Sequence, residues 1–306
     1  CNKLWNASRF INLNIDNFGI SEKRSSSIVD DWIDFKFNET VKKVNKAFEE
    51  FRFDLVTKAI YEFIWYELCD WFIELNKIDL NQDEITKAEI NRSMVDVLEK
   101  TLRLAHPIMP FITEDIWQQL KKYHCSDLES ITISAYPSVN NGLSESGYKI
   151  IEWLKDVVTG IRNIRGELNL KPSKQISCIF ENGTENEKSS LEDVESYVKG
   201  LSGLKAIKWA DPQDESPPAS IFTRENLKVL IPLEGLIDAE KESERLIKKI
   251  AKISKEKDML ASKLSNKKFT ENAPKELVSS QKERLSVLAT ELDNLRAQIS
   301  ELNKLI

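Results

Sequence analysis

Ala59-Ile60-Tyr61-Glu62-Phe63-Ile64-Trp65-Tyr66-Glu67-Leu68-Cys69-Asp70-Trp71-Phe72 places apolar and aromatic side chains on nearly every side of a helix. A helix that is hydrophobic all round is surrounded by others. The run therefore predicts a helix over about 54–76 at the centre of a bundle. The rings could be read as a stacking surface for bases, but rings at helical spacing are what bundles bury, and core packing is the expectation.

The flanks supply the neighbours. Leu4, Ile11 and Ile15 share one face of a first helix that Asn17 and Gly19 end. A second, over about 30–50, carries Ile33, Phe37, Val41, Val44, Phe48 and Phe51 as its apolar stripe. A further helix over about 83–105 stops at His106-Pro107, because the residue before a proline avoids the α region. Another starts at Pro110, a favourable first-turn residue. Five amphipathic helices with short connections predict a bundle over 1–136. Ile131 to Ser134 alternates briefly like a strand, and 137–147 is a linker of Ser, Asn and Gly. Beyond it, a helix over about 148–168, a strand over 175–180, an Asn182-Gly183 turn, a helix over 187–199 and strands near 206–209 and 227–232 predict a small α/β domain over 148–235. Residues 211–220, with Pro212, Pro217 and Pro218, read as a loop inside it.

At the far end Leu246, Ile250, Ile253, Leu260 and Leu264 follow heptad spacing, interrupted by Lys257. Val278, Leu285, Leu288, Leu292, Leu295, Ile299, Leu302 and Ile306 continue it after a polar stretch that ends at Pro274. Two seams about a turn predict an antiparallel coiled-coil hairpin over 236–306. The fold class is mainly α: a helical bundle, a small α/β domain and a hairpin.

The chain of 306 residues is acidic, with 44 Lys+Arg against 50 Asp+Glu, but the charge is uneven. Residues 238–306 hold 15 basic and 12 acidic side chains, which leaves 29 and 38 for the rest. On a helical wheel Lys241, Arg245, Lys248, Lys252 and Lys255 cluster away from the seam. A one-sided basic stripe suits a polyanion such as a phosphate backbone. Charge alone favours the plainer reading of a solvated coiled-coil face.

Several functions are disfavoured. Cys1, Cys69, Cys125 and Cys178 are scattered, and His106 and His124 are the only histidines, which argues against a zinc site, a disulfide framework or thiol chemistry. No phosphate-binding glycine loop, dinucleotide turn or nucleophile elbow occurs. No catalytic, cofactor or metal site is expected. No apolar run spans a membrane and no secretion signal is visible, so a cytoplasmic location is expected. The chain begins in a helical pattern without Met and reads as a piece of something longer.

Two polar groups invite a nucleic-acid reading. Asn2, Asn6 and Arg9 fall on one helix face and could hydrogen-bond exposed bases, although periodicity alone favours an ordinary polar face. Arg162 and Arg165, three apart, could clamp phosphates or bases, or equally pair with Glu167 or Asp156. His106 reads as a helix-terminus residue.

Several stretches together resemble one family. Asn2-Lys3-Leu4-Trp5-Asn6-Ala7-Ser8-Arg9-Phe10 is similar to the start of the anticodon-binding domain of class I aminoacyl-tRNA synthetases of the Val/Ile/Leu group. Tyr61 to Trp65 with Cys69-Asp70-Trp71, Ala105 to Trp117, and Ile161 to Asn169 followed by Pro172 resemble later segments of it. Within the group, Ile231 to Asp238, Lys263 to Phe269 and Ala273-Pro274 resemble the C-terminal arm of the valyl-tRNA synthetase family. The cysteine-rich zinc end of isoleucyl relatives has no counterpart here. An isoleucyl or leucyl enzyme is thus disfavoured, and so is a coiled-coil scaffold.

The resemblance implies the C-terminal part of an enzyme that joins valine to its tRNA with ATP and Mg²⁺ and edits in a separate domain. The ATP-site motifs, Rossmann domain and editing domain are missing, so this chain alone should be inactive and hold no cofactor. Its implied partners are valine tRNA and the missing N-terminal domains, in a monomer. Asn2, Asn6 and Arg9 become candidates for the anticodon region, Arg162 and Arg165 a second candidate pair for tRNA, and Arg245, Lys248, Lys252 and Lys255 candidates for phosphates along the tRNA body.

Overall fold

The computed structural model describes residues 1–306 apart from 82, 124–126, 212–215, 235–238, 266–279 and, beyond them, all but 280, 281, 284–286, 288, 289, 292 and 295. The side chains of 239–245 also lie outside the described set. The chain divides into two compact units, one of residues 1–158 and 185–202, the other of 159–184 and 203–306.

The first unit is helical. α1 (Asn2–Phe18) buries Leu4, Ala7, Ile11 and Ile15 and stops at Gly19, whose φ of 73° is open to glycine at little cost. α2 (Ile28–Glu49) starts in a capping box: the Ser27 hydroxyl accepts from the Asp30 amide, and the Asp30 carboxylate accepts from the Ser27 amide. α3 (Phe53–Glu62) runs without a break through a π-helical stretch, Phe63–Phe72, into α4 (Ile73–Asp79). α5 (Glu84–Ala105) is capped by Asp83, whose carboxylate accepts from the amides of Ile85 and Thr86, and it ends before His106-Pro107 as expected. α6 (Pro110–Leu120) has its proline in the first turn. The first half of α7 (Ser146–Glu167) and all of α8 (Glu185–Ser202) complete the unit. Its core contains Trp32, Ile33, Leu68, Phe72, Met94, Leu98 and Trp117. A half-buried ionic knot adds to it: Lys155 lies 2.8 Å from Glu67 and 2.9 Å from Glu152, and the Trp32 indole N–H donates to Glu152 at 2.9 Å.

Two expectations need correction here. Ile131 to Ser134 is no strand; Ile131–Ile133 forms a 3₁₀ turn, with the Ser130 hydroxyl accepting from the Thr132 amide. The aromatic helix is not wholly interior either. Phe63, Ile64, Leu68 and Phe72 are buried, whereas Tyr61, Trp65 and Tyr66 are 49%, 39% and 50% exposed.

The second unit carries a four-stranded sheet in the order β2-β1-β4-β3, from β1 (Ile176–Glu181), β2 (Leu204–Trp209), β3 (Ala219–Arg224) and β4 (Leu227–Pro232). β1 and β2 are parallel, and the other pairs are antiparallel. The sequence reading ended its proline loop at Ser220 and missed β3. Arg224 pairs with Leu227 across a two-residue turn in which Glu225 takes φ 53° without any glycine. A Cβ on Gly160 would stand 2.4 Å from the Phe222 ring, so glycine allows the second half of α7 to meet β3 closely.

α9 (Ala239–Ser265) is the first arm of the hairpin. Leu246 and Ile253 are buried in one cluster with Leu288, Leu292, Leu295 and Leu233, with Ile250, Leu260 and Leu168 at its margin. Glu256 and Arg284 pair at 2.9 Å between the arms. The arms meet along the seam read from the heptads; the connecting stretch 266–279 and Val278, Ile299, Leu302 and Ile306 lie outside the described residues.

Candidate nucleic-acid interface

Asn2, Asn6 and Arg9 are all exposed on α1, opposite its buried face. None of the three has a hydrogen-bond or ion-pair partner among the described residues. The face left open by periodicity is therefore open in the structure.

A groove of about 810 Å³ runs along this face. Asn6, Arg9, Phe10, Asn12, Leu13 and Asp16 form one wall, and Gln119, Lys122 and Tyr123, at the end of α6, form the other. The Lys122 ammonium lies 4.5 Å from the centroid of the Tyr123 ring. Its pKa is raised, by Tyr123 first and by Asp16 more weakly, so it stays charged. An unpaired base needs amides that both donate and accept, an aromatic ring to lie against, and cations for its phosphates. Asn6, Asn12 and Gln119 supply the first, Phe10 and Tyr123 the second, Arg9 and Lys122 the third.

The walls are held by residues of which the sequence reading singled out only His106, as a helix terminus. The Arg92 guanidinium donates to the Ser21 carbonyl at 2.8 Å and to the Tyr123 carbonyl at 2.7 Å, which ties the chain after α1 to the chain after α6. The neighbouring Asn91 side-chain amide donates to the Gly19 carbonyl at 2.7 Å. His106 fixes the other end of α6: its Nδ1 lies 2.7 Å from the Thr113 hydroxyl and its Nε2 3.1 Å from that of Thr132. The Thr113 hydroxyl donates its only hydrogen to the Met109 carbonyl at 2.8 Å, so Nδ1 is the donor to Thr113. Nothing in the sequence marks Arg92, because a side chain that meets backbone carbonyls leaves no residue-type signature.

On the other side of Asn6 lies a second groove of about 770 Å³. Leu4, Ile60, Tyr61, Ile64, Trp65 and Met109 make it apolar. The Tyr61 and Trp65 rings stack with centroids 5.5 Å apart and planes 23° apart.

Arg165 differs from the expectation. It is buried, with 8% of its surface exposed, and its guanidinium donates to the carbonyls of Lys171 (2.9 Å), Lys174 (3.0 Å), Pro172 (3.3 Å) and Gly203 (3.4 Å). Its donors are committed to the loop before β1 and the turn before β2, so it does not face a phosphate. Nor does it take either of the carboxylates weighed for it. Arg162, one turn earlier, is exposed. On α9, Lys248, Lys252 and Lys255 are exposed and unpaired among the described residues. The side chain of Arg245 lies outside the described set. Among the described residues no three His, Cys, Asp or Glu gather as a metal site, and no helix is long and apolar enough to cross a membrane.

Comparison with known proteins identifies the family. Residues 30–180 match the family described as anticodon-binding domain of tRNA ligase, and residues 238–303 match the valyl tRNA synthetase tRNA binding arm. The Valine–tRNA ligase of Francisella tularensis is 38% identical over 291 residues, 94% of this chain and 31% of that protein. Those of Psychrobacter arcticus and Legionella pneumophila are 35% and 36% identical, over 100% and 96% of this chain and 32% and 33% of their own length. The chain thus spans about a third of the curated relatives it matches. With an anticodon-binding domain, a tRNA-binding arm and relatives of one name along its whole length, the chain belongs to the valyl-tRNA synthetase family and is a tRNA-binding part of it.

Proposed function

We propose that this chain holds valine tRNA for a larger enzyme. The groove between α1 and the end of α6 takes the anticodon nucleotides, and the Lys248, Lys252 and Lys255 face of α9 follows phosphates of the tRNA body. The observation that carries this reading is the groove itself: amides without partners among the described residues, two cations and two aromatic rings converge in it, and its α6 wall falls within the anticodon-binding match. Phosphate contacts give affinity and register, whereas base contacts give sequence discrimination. The bundle is therefore the reader and the hairpin the support. α9 has 27 residues and so is about 40 Å long at 1.5 Å per residue, enough to track several phosphates.

The remaining expectations belong to this proposal. The longer polypeptide attaches valine to its tRNA with ATP and Mg²⁺, bound in domains outside this chain, and works as a monomer in the cytoplasm. Fluorescence titration of the chain with valine tRNA and with anticodon-swapped tRNAs, at several salt concentrations, is the test. Loss of affinity on swapping the anticodon is expected, and loss of that discrimination in Arg9→Ala. Equal affinity for all anticodons would overturn the reader assignment.

A further inference from the structure

The two grooves beside α1 share Asn6 but differ in chemistry. The α1/α6 groove carries Arg9 and Lys122 against the single acid Asp16. In the apolar groove the only charged side chain is Lys3, and it is already neutralised: its ammonium lies 2.6 Å from the Asp70 carboxylate and 3.8 Å from the centroid of the Trp65 ring. The groove therefore has no net attraction for a polyanion. What it does offer is a contiguous apolar surface with half-exposed Tyr61 and Trp65, and exposed patches of this kind mark protein contacts. Tyr and Trp serve such contacts because they bury large, stiff rings while their polar edges tolerate water when free.

The occupant follows from length and position. The relatives are about three times as long as this chain. Cys1, Asn2 and Lys3 line the groove, so any polypeptide joined ahead of Cys1 leaves from its rim. A segment tethered there acts at millimolar effective concentration. We propose that the Tyr61–Trp65 groove is the docking surface for the preceding domains of the same polypeptide, through an apolar edge, and not a second site for RNA. This rests on the reading of the chain as part of a longer synthetase; it does not need the α1/α6 groove to read an anticodon.

Hydroxyl-radical footprinting with mass spectrometry tests it, because Tyr, Trp and Met oxidise according to exposure. The 1–306 chain, with and without valine tRNA, and the full-length polypeptide would be oxidised in parallel, with an added reference peptide as the dose standard. Oxidation of Tyr61, Trp65 and Met109 is expected to fall about five-fold or more in the full-length polypeptide, as for side chains at a dry interface core. It should stay unchanged when tRNA is added to the 1–306 chain. Equal oxidation at both lengths would overturn the proposal, and so would protection of these residues by tRNA in the short chain, which would make the groove an RNA face. If the short chain fails to bind tRNA at all, the anticodon reading falls while the comparison of lengths still decides this one.

Discussion

Three arginines show how one residue type divides between recognition and structure. Arg9 is exposed and without a partner among the described residues, Arg92 braces the groove walls through two carbonyls, and Arg165 is buried against four. Removing Arg165 leaves those carbonyls without their charged donor and vacates a buried position. Arg165→Ala is therefore expected to destabilise the protein by about 2–4 kcal/mol in urea unfolding, with the salt dependence of tRNA binding unchanged at temperatures where it stays folded. A stable variant with a shallower salt slope would return Arg165 to the phosphate contacts. Arg92→Ala should cost about 2 kcal/mol and also weaken tRNA binding, because the α6 wall loses its tie. Affinity equal to the parent at full folding would show that the brace does not matter. From sequence, Arg9 and Arg165 look alike, each a cation on a helix face. Their difference lies in which carbonyls the chain brings back to them, and helical periodicity carries no such information.

At the level of elements, legibility followed regularity. The helix starts at Ser27, Asp83 and Pro110 and the stop at Gly19 use capping chemistry that is local in sequence, so they could be read directly. The heptad seam was readable for the same reason, and Leu246, Ile253, Leu288, Leu292 and Leu295 do pack together. β3 was not, since its signal follows three prolines and its turn uses Glu225 in place of glycine. The outward Tyr61, Trp65 and Tyr66 were hidden by their own apolarity, which reads as core whichever way the ring points. On the hairpin, Lys248, Lys252 and Lys255 face solvent without partners among the described residues. Changing all three to Ala should reduce the slope of log K against log salt by about 2, as loss of three phosphate contacts requires. An unaltered slope would return the stripe to simple solvation.

For the whole molecule, a net charge of −6 means that RNA must be caught by local cationic surface against an unfavourable background. The family motifs made the overall assignment legible. Two neighbouring helices, α4 and α8, are coupled through a buried hydrogen bond. The Tyr197 hydroxyl of α8 donates to the Asp79 carboxylate of α4 at 2.6 Å. Burial first, and then the Asp79 charge, raise the Tyr197 pKa above its ordinary 10.0. Burial likewise raises that of Asp79, against the opposing hydrogen bond from Tyr197. A phenol with a raised folded pKa gives stability that is complete below pH 10 and is lost as pH climbs above it. Asp79→Asn removes the charge that adds to this shift while burial remains, so the urea midpoint should begin to fall near pH 10 as in the parent but level off at a lower pH. At pH 7 it should match or exceed the parent, because the cost of burying a carboxylate is gone. Parallel alkaline losses in the two proteins would show that the pair does not act in this way.

The π-helical stretch Phe63–Phe72 has one more consequence, for the chain's tolerance of changes in length. Its hydrogen bonds reach one residue farther than those of an α-helix, so each such turn holds a spare residue. Deleting half-exposed Tyr66 can be absorbed by rewinding locally to α geometry, and a thermal scan should show a loss of only a few degrees. The same deletion early in α5 would turn Asn91 and Arg92 by about 100° from the carbonyls they hold, since an α-helix has no slack to give up. This central helix, half core and half surface, is thus where the chain can lose a residue without re-aiming the groove.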